Sequence, residues 1–318
     1  MAVGRISVVI PFYNNIDKLV PTLESVHAQS LAPAEVILVD DGSAPAARDR
    51  LRAVQRRFGF ALIEQSNQGP AVARNTGIRA ARHDFVALLD ADDLWHPDKL
   101  LRQQEAADAA GDAALVVCNS KTVDASGRFL YENRFARFAG DPEALSSAVL
   151  NNRIYSITSA LFFRREAALQ AGLMNPALRY REDHAFLIHL IAQGAVAFVD
   201  AALSSRVVHR EGYSHAETSP HILEKDLWDE RFFQDVAHRF GPRALAEARA
   251  LARQHTARND IILGRRGTAI RSMLRLALST RQVVRPGLIV GAALAAMVRP
   301  GLLDARDPAL AARRKAAR

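Results

Sequence analysis

Apolar residues recur along this chain in two periods that alternate. Compact runs rich in Ile, Val, Leu, Phe and Ala lie at residues 6–10, 35–39, 60–63, 85–89 and 114–118. Runs this short, most of them bounded by turn residues, predict strands buried on both faces. Between them the apolar spacing becomes helical, as at Leu19, Leu23 and Val26, and further helices are predicted over 48–57, 70–81 and 97–109. Pro70 directly follows the turn Asn67-Gln68-Gly69, where a first helical turn tolerates it. Strands alternating with helices predict βαβ units and an α/β fold with a mostly parallel sheet.

Further along, a turn at 124–127 predicts a hairpin, 142–150 a short helix, 159–163 a strand and 165–171 another helix. Glu182 and Asp183 open a helix whose apolar positions are Phe186, Leu187, Leu190 and Ile191. Both acids fall in its first turn, where the helix dipole favours them. Short strands are predicted at 197–199 and 205–208, and from about Pro220 the pattern is helical only.

The chain is organised around Phe85 to Pro97, FVALLDADDLWHP, where the fourth strand stops abruptly at Asp90, Asp92 and Asp93. A second acidic pair, Asp40-Asp41, ends the second strand. In a parallel sheet both fall on the C-terminal edge, where open α/β sheets bind ligands. Crowded carboxylates repel one another unless a cation or hydrogen-bond donors compensate them. A hard divalent ion held by one or two carboxylates plus substrate phosphates meets that need. An isolated D-x-D is more often a solvated acidic turn; the rest of the chain reverses that preference. No G-x-G-x-x-G or G-x-x-x-x-G-K-[ST] pattern follows the first strand, so a bound nucleotide is not held by a glycine-rich phosphate loop.

Composition alters this picture little. With 318 residues, 49% hydrophobic and 24% charged, the chain is ordinary globular material for one large domain or two smaller ones. The single Cys118 excludes an intrachain disulfide and fits a reducing compartment. A signal-type N-terminus is not evident, and no uncharged apolar run reaches the ~18 residues of a membrane span. A cytoplasmic location is therefore expected. Charge alters the picture more. Residues 241–318 hold 16 Lys plus Arg against 4 Asp plus Glu, or +12, so residues 1–240 carry +8 − 12 = −4. The basic tail is a candidate for contact with an anionic membrane surface, on the inner face, or is simply a solvated helical face. It has no aromatic stacking platform or zinc pattern that would point to nucleic acid, and none is expected as a partner.

The stretches SVVIPFYNN (7–15), EVILVDDGS (35–43), NQGPAVARNTGI (67–78) and FVALLDADDLWHPDKL (85–100), with REDHAFLIHL (181–190), resemble family-2 glycosyltransferases in order and spacing. The resemblance spans about residues 6–209. It implies a glycosyltransferase A-type fold: a nucleotide-binding αβα sandwich with a donor-binding half (about 1–119) and an acceptor-binding half (about 120–219). The basic helical region 220–318 would be an appendage. It also implies a sugar-nucleotide donor, with uridine favoured, Mg2+ or Mn2+, a glycan or lipid-linked acceptor, and inversion at the anomeric carbon. Oligomers are possible.

By this resemblance Pro11, Tyr13 and Asn14 form the loop around base and ribose, and Asp41 contacts the base. Gly69 and Arg74 border the nucleotide, with Arg74 able to pair with phosphate. Asp90 and Asp92 serve ribose and metal, Asp93 is an additional acid of the metal set, and His209 touches pyrophosphate or metal. Asp183 is the catalytic base. Trp95 either belongs to the core or lines the sugar site, while His184 and His189 read as structural. The rival readings are a sugar-phosphate nucleotidyltransferase, which would be expected to carry a basic glycine-rich loop where PFYNN stands, and a non-catalytic nucleotide- or glycan-binding module.

Overall fold

A computed structural model describes residues 3–154, 158–208 and 225–262. The chain divides into two compact units, 1–149 with 153–208, and 150–152 with 209–318.

The first unit is built on one sheet, in which nine strands lie among the described residues. Strands β1 (Val3–Phe12), β2 (Ala32–Asp41), β3 (Ala61–Gln65) and β4 (Phe85–Leu88) are linked by helices α1 (Ile16–His27), α2 (Pro45–Phe58) and α3 (Pro70–Ala80). They pair in the order β3-β2-β1-β4, all parallel. Ile6, Val8, Val9 and Ile10 in β1 and Val86, Ala87 and Leu88 in β4 are fully buried, as expected of parallel strands covered on both faces. α3 lies so close to β1 that a Cβ on Gly77 would stand 2.3 Å from Val9 Cγ1. Pro11 does not end β1 as its lack of an N–H suggests. Pairing with β4 has finished at Val9, so the missing donor faces no strand on that side.

The short β5 (Leu94–Trp95) and α4 (Lys99–Ala110) lead to β6 (Ala113–Asp124), and a turn at 124–127 returns the chain as β7 (Phe129–Asn133). After α5 (Pro142–Leu150) come β8 (Leu161–Arg164), α6 (Arg165–Gln170), α7 (Glu182–Ile191) and β9 (Ala195–Val208). β8 inserts antiparallel between β4 and β6, and β9 runs parallel to β6. Six strands thus point one way and β5, β7 and β8 the other, a large, mostly parallel sheet. The two short strands expected at 197–199 and 205–208 are one continuous strand. Its ladder with β6 slips beside Asn119, whose amide donates to Asp200 at 2.9 Å, so the polar break in the sequence is an irregularity within a single strand.

In the second unit α8 (Lys225–Asp235) packs on α9 (Pro242–Ile262), and Arg249 reaches both carboxylate oxygens of Glu230, at 2.9 and 3.1 Å. The basic stretches from 263 onward and the expected boundary near Ser219-Pro220 lie outside the described residues. Among the described residues no helix is long and apolar enough to cross a membrane.

Trp95 belongs to the core. It is 5% exposed, its Nε1–H donates to the Ser159 carbonyl, and the ammonium of Lys99 lies 4.1 Å over its ring. Lys99 is wholly buried, and its ammonium donates to Gln103 Oε1 at 2.6 Å. Burial pushes this amine down from its ordinary 10.5 to about 8. Between those two values the unfolded chain holds a proton that the folded chain lacks, so stability rises with pH across that window. At about 1.4 kcal/mol per unit the effect is on the order of 3 kcal/mol. The stability of wild type relative to Lys99→Met, from urea unfolding at pH 7.5 and 10.5, should increase by an amount of that order. A pH-independent difference would contradict it.

Candidate active site

β1, β2 and β4 run in the same direction, so the residues at their C-terminal ends converge on one edge. Asp40 and Asp41 are the last two residues of β2, and Asp90 is the second residue after β4. The loops along this edge are tied to each other. Asn14, at φ +60°, donates its backbone N–H to Ser43 Oγ at 2.8 Å, and its side-chain oxygen accepts from the Ala44 N–H at 2.8 Å. Asp40 is buried and holds the same turn: its Oδ1 accepts from the Ser43 N–H at 3.1 Å and from the Ser43 hydroxyl.

Asp41 is 5% exposed and closes the next loop. Oδ1 accepts from the Gln65 amide and the Gln68 N–H, and Oδ2 from the Gly69 N–H, at 2.8 to 2.9 Å. One accepting position on Oδ2 is left for a ligand. Gly69 adopts φ +92°, and a Cβ there would meet nothing within 4 Å, so the backbone beside Asp41 borders open space. Tyr13 is 53% exposed at the same edge, and Pro11 is half-buried at the end of β1.

The acids after β4 have separate tasks. The Asp93 N–H donates to the Asp90 carbonyl at 3.0 Å, making 90–93 a tight turn. Asp93 is 6% exposed. Its Oδ2 accepts from the Ser159 hydroxyl (2.6 Å), its Oδ1 from the Val207 N–H (3.2 Å), and its carbonyl from the Thr22 hydroxyl (2.9 Å). It thereby staples the acidic turn to β9 and α1. Burial, with the charges of Asp90 and Asp92, pushes its carboxyl well up. Each oxygen of Asp93 accepts one hydrogen bond from the protein and the side chain is buried, so the contacts that it shows are structural.

Arg74 also departs from expectation. It is buried, donating to Asp90 Oδ1 at 2.7 Å and to Glu182 Oε1 at 3.2 Å, while its Nε–H has no partner among the described residues. Burial favours its neutral form, but Asp90, Glu182 and Asp183 outweigh this and hold it firmly charged. The guanidinium is held by two carboxylates. It connects the acids after β4 to the acids opening α7.

Asp92 is the free acid. It is half-buried, and its carboxylate makes no hydrogen bond to another side chain among the described residues. Burial and the Asp90 charge push its carboxyl up, while Lys18 on α1 and Arg206 on β9 pull the other way. Both cations are half-buried at positions fixed by the bonds that Thr22 and Val207 make to Asp93. The sequence reading missed them, since neither stands in a motif. Among the described residues no three His, Cys, Asp or Glu side chains form a ready metal cage, and His209 lies outside them. Asp92 and Asp90 are the residues here that would hold a divalent ion, a donor set that suits a hard cation shared with phosphate.

Asp183 stands at the start of α7, 18% exposed at its side chain. Burial raises its carboxyl, but the imidazole and N–H of His184, with the charge of Arg74, outweigh that and hold it below the usual carboxylate range. Glu182 goes the other way: burial and the Asp183 charge raise it against the pull of Arg74. Neighbouring acids in opposite regimes, one firmly ionised, are a recurrent arrangement for proton chemistry.

The glycosyl transferase family 2 model matches residues 7–172, just over half of the chain and ending before α7. The succinoglycan biosynthesis protein ExoO of Rhizobium meliloti is 32% identical over 243 residues, covering 74% of this chain and 70% of that protein. The amylovoran biosynthesis glycosyltransferase AmsB of Erwinia amylovora is 28% identical over 243 residues, covering 70% and 80%. Among solved structures, S. aureus TarS 1–349 in complex with UDP-GlcNAc aligns with a TM-score of 0.64 over 98% of this chain and 90% of that one, at 16% identity. The mannosyltransferase PcManGT from Pyrobaculum calidifontis, in complex with GDP-Man and Mn2+, aligns at 0.58 over 98% and 86%, with 18% identity. The likeness to these structures is one of fold, and the sequence match is one of descent: the chain belongs to glycosyl transferase family 2.

Proposed function

We propose that the chain transfers a sugar from a nucleotide-sugar donor, with a UDP-sugar favoured, to a hydroxyl of a glycan or lipid-linked acceptor. The transfer is metal-dependent, inverts the anomeric carbon and serves surface polysaccharide assembly. The observation that carries this reading is the Arg74 bridge. By joining Asp90 to Glu182 it supports reading Asp92, two residues after the first, and Asp183, next to the second, as parts of one site. The relatives named for succinoglycan and amylovoran biosynthesis support a polysaccharide product, and the neighbour bound to UDP-GlcNAc supports uridine.

The base lies against Tyr13 and Asp41, and the diphosphate reaches Asp92 between Lys18 and Arg206. Asp92 and Asp90 would hold a divalent ion, which would supply Lewis-acid charge neutralisation there. Asp183 accepts the proton of the acceptor hydroxyl as that oxygen bonds to the anomeric carbon. The bond from that carbon to phosphate breaks on the opposite face, and the nucleoside diphosphate leaves with the electron pair. No covalent enzyme intermediate is required.

A thermal-shift panel of UDP-, GDP- and dTDP-sugars, each with Mn2+ and with chelator, tests the donor and the ion. A ligand at 100 times its Kd adds about 2.7 kcal/mol of stability. One nucleotide series should raise Tm with Mn2+ and do so far less with chelator. A panel that shifts nothing, with no nucleotide released, would overturn the reading.

A further inference from the structure

The residue after Asp183 is a buried histidine with both ring nitrogens engaged. The Nδ1–H of His184 donates to Asp183 Oδ1 at 2.8 Å, and the His184 backbone N–H donates to the same oxygen at 2.8 Å. Its Nε2–H donates to the carbonyl oxygen of Ile154 at 3.0 Å. The ring is 7% exposed, so these bonds form out of water, where a bond to a charged group is strong. Among the described residues the other carboxylate oxygen, Oδ2, has only a 3.4 Å contact, from the Thr158 hydroxyl. One oxygen is saturated by the protein and the other is available.

The imidazole is not explained by packing. Its neighbours along α7, Ala185, Phe186, Leu187 and Ile188, are apolar and buried, and an apolar side chain would fill the position without needing partners. Nor does the carboxylate orient itself. The terminal torsion of an aspartate is broad, so unaided it presents either oxygen. Two donors converging on Oδ1 remove that freedom.

We infer that His184 is the positioning residue of the base: it holds Oδ1 of Asp183 so that Oδ2 faces the acceptor hydroxyl. This rests on the reading of Asp183 as the base. His184 also sets the acid limit of the reaction. Of the groups facing Asp183, Glu182 opposes its ionisation, while His184 and Arg74 favour it, with His184 the larger influence. Without the imidazole the acid limb of the kcat profile moves to higher pH.

The test compares His184→Phe, His184→Gln and His184→Asn with wild type and Asp183→Asn. The asparagine amide nitrogen occupies the place of Nδ1 and still reaches Oδ1; the glutamine and phenylalanine side chains do not. The reaction is release of nucleoside diphosphate from the nucleotide sugar that stabilises the protein most, with water as acceptor. Phe and Gln should lower kcat on the order of 10²-fold, the scale of a misplaced reacting group. Donor KM should stay near wild type, Asn should recover most of the loss, and the acid limb should move up in the Phe variant. If the Phe variant does not fold, the Asn and Gln pair carries the comparison. Independently of turnover, the His184 Nδ1–H should give a slowly exchanging downfield proton resonance that Asp183→Asn abolishes. An Asn variant no better than Gln, a Phe variant with wild-type kcat and pH profile, or no such resonance overturns the inference alone. Full transfer by Asp183→Asn would instead overturn the assignment of the base.

Discussion

Asp183→Asn is expected to lower transfer by about 10²–10⁴-fold while leaving nucleotide binding near wild type. The amide keeps the size of the side chain but cannot accept the acceptor proton. The direction of the pKa shift sharpens the expectation. Burial would raise this carboxyl, but His184 and Arg74 hold it below its ordinary 3.8, so the base form persists throughout mildly acidic conditions. Protonation of Asp183 should therefore not limit kcat above pH 3.8. The same shift bears on stability. A depressed carboxyl stabilises the fold above its unfolded value, and the contribution is lost as pH falls through the folded value. The Asn variant lacks that contribution at neutral pH, so its Tm should fall modestly, and nucleotide affinity must be measured beside it. An equal loss of nucleotide affinity would move Asp183 to the donor side of the site.

Asp92→Asn should have a comparably large effect through the donor. Asp92 is the acid after β4 whose carboxylate bonds no other side chain among the described residues. A Lewis-acid contact contributes several kcal/mol to charge stabilisation. Losing a charged ligand of that ion is thus expected to cost about 10²–10³-fold in turnover, at 1.36 kcal/mol per tenfold. Donor affinity in Mn2+ should weaken as well. Stability should change in the opposite direction. Burial and the Asp90 charge raise the Asp92 carboxyl, so its ionised form destabilises the ligand-free fold at neutral pH. The neutral amide relieves that repulsion, and Tm without ligand should rise, a trade of stability for function common at binding sites. Full activity of chelator-treated wild type would remove the ion from the mechanism. A fall in ligand-free Tm would show that Asp92 makes native contacts beyond those described.

Where the sequence reading went astray, the cause lies in contacts between distant segments. Residues 159–163 read as a strand, but a short apolar run carries no direction, and only the pairing of Leu161–Arg164 with both β4 and β6 makes it antiparallel. Leu94–Trp95 gives no strand signal at two residues, and it becomes one because Ser204 and Ser205 of β9 lie beside it. Arg74 on α3 looks like a phosphate ligand because an arginine in a nucleotide-bordering segment has that chemistry available. Glu182, 108 residues later, takes its guanidinium instead.

The local signals alone determined the alternation of strands and helices, the ends of β2 and β4, and the start of α7. Each depends on periodicity, turn residues or first-turn acids within about ten residues of chain. They also determined that Asp40, Asp41, Asp90, Asp92 and Asp93 share one edge, because parallel strands end on the same side. The tertiary structure decided which of these acids remains available. Asp93 is tied to Ser159 and Val207, Asp90 is shared with Arg74, and Asp183 is bonded by a histidine whose far nitrogen reaches Ile154. A carboxylate's role depends on how many donors surround it, and here many of those donors come from residues tens of positions away in the chain. Only the folded protein brings them within 3 Å or so, the reach of a hydrogen bond.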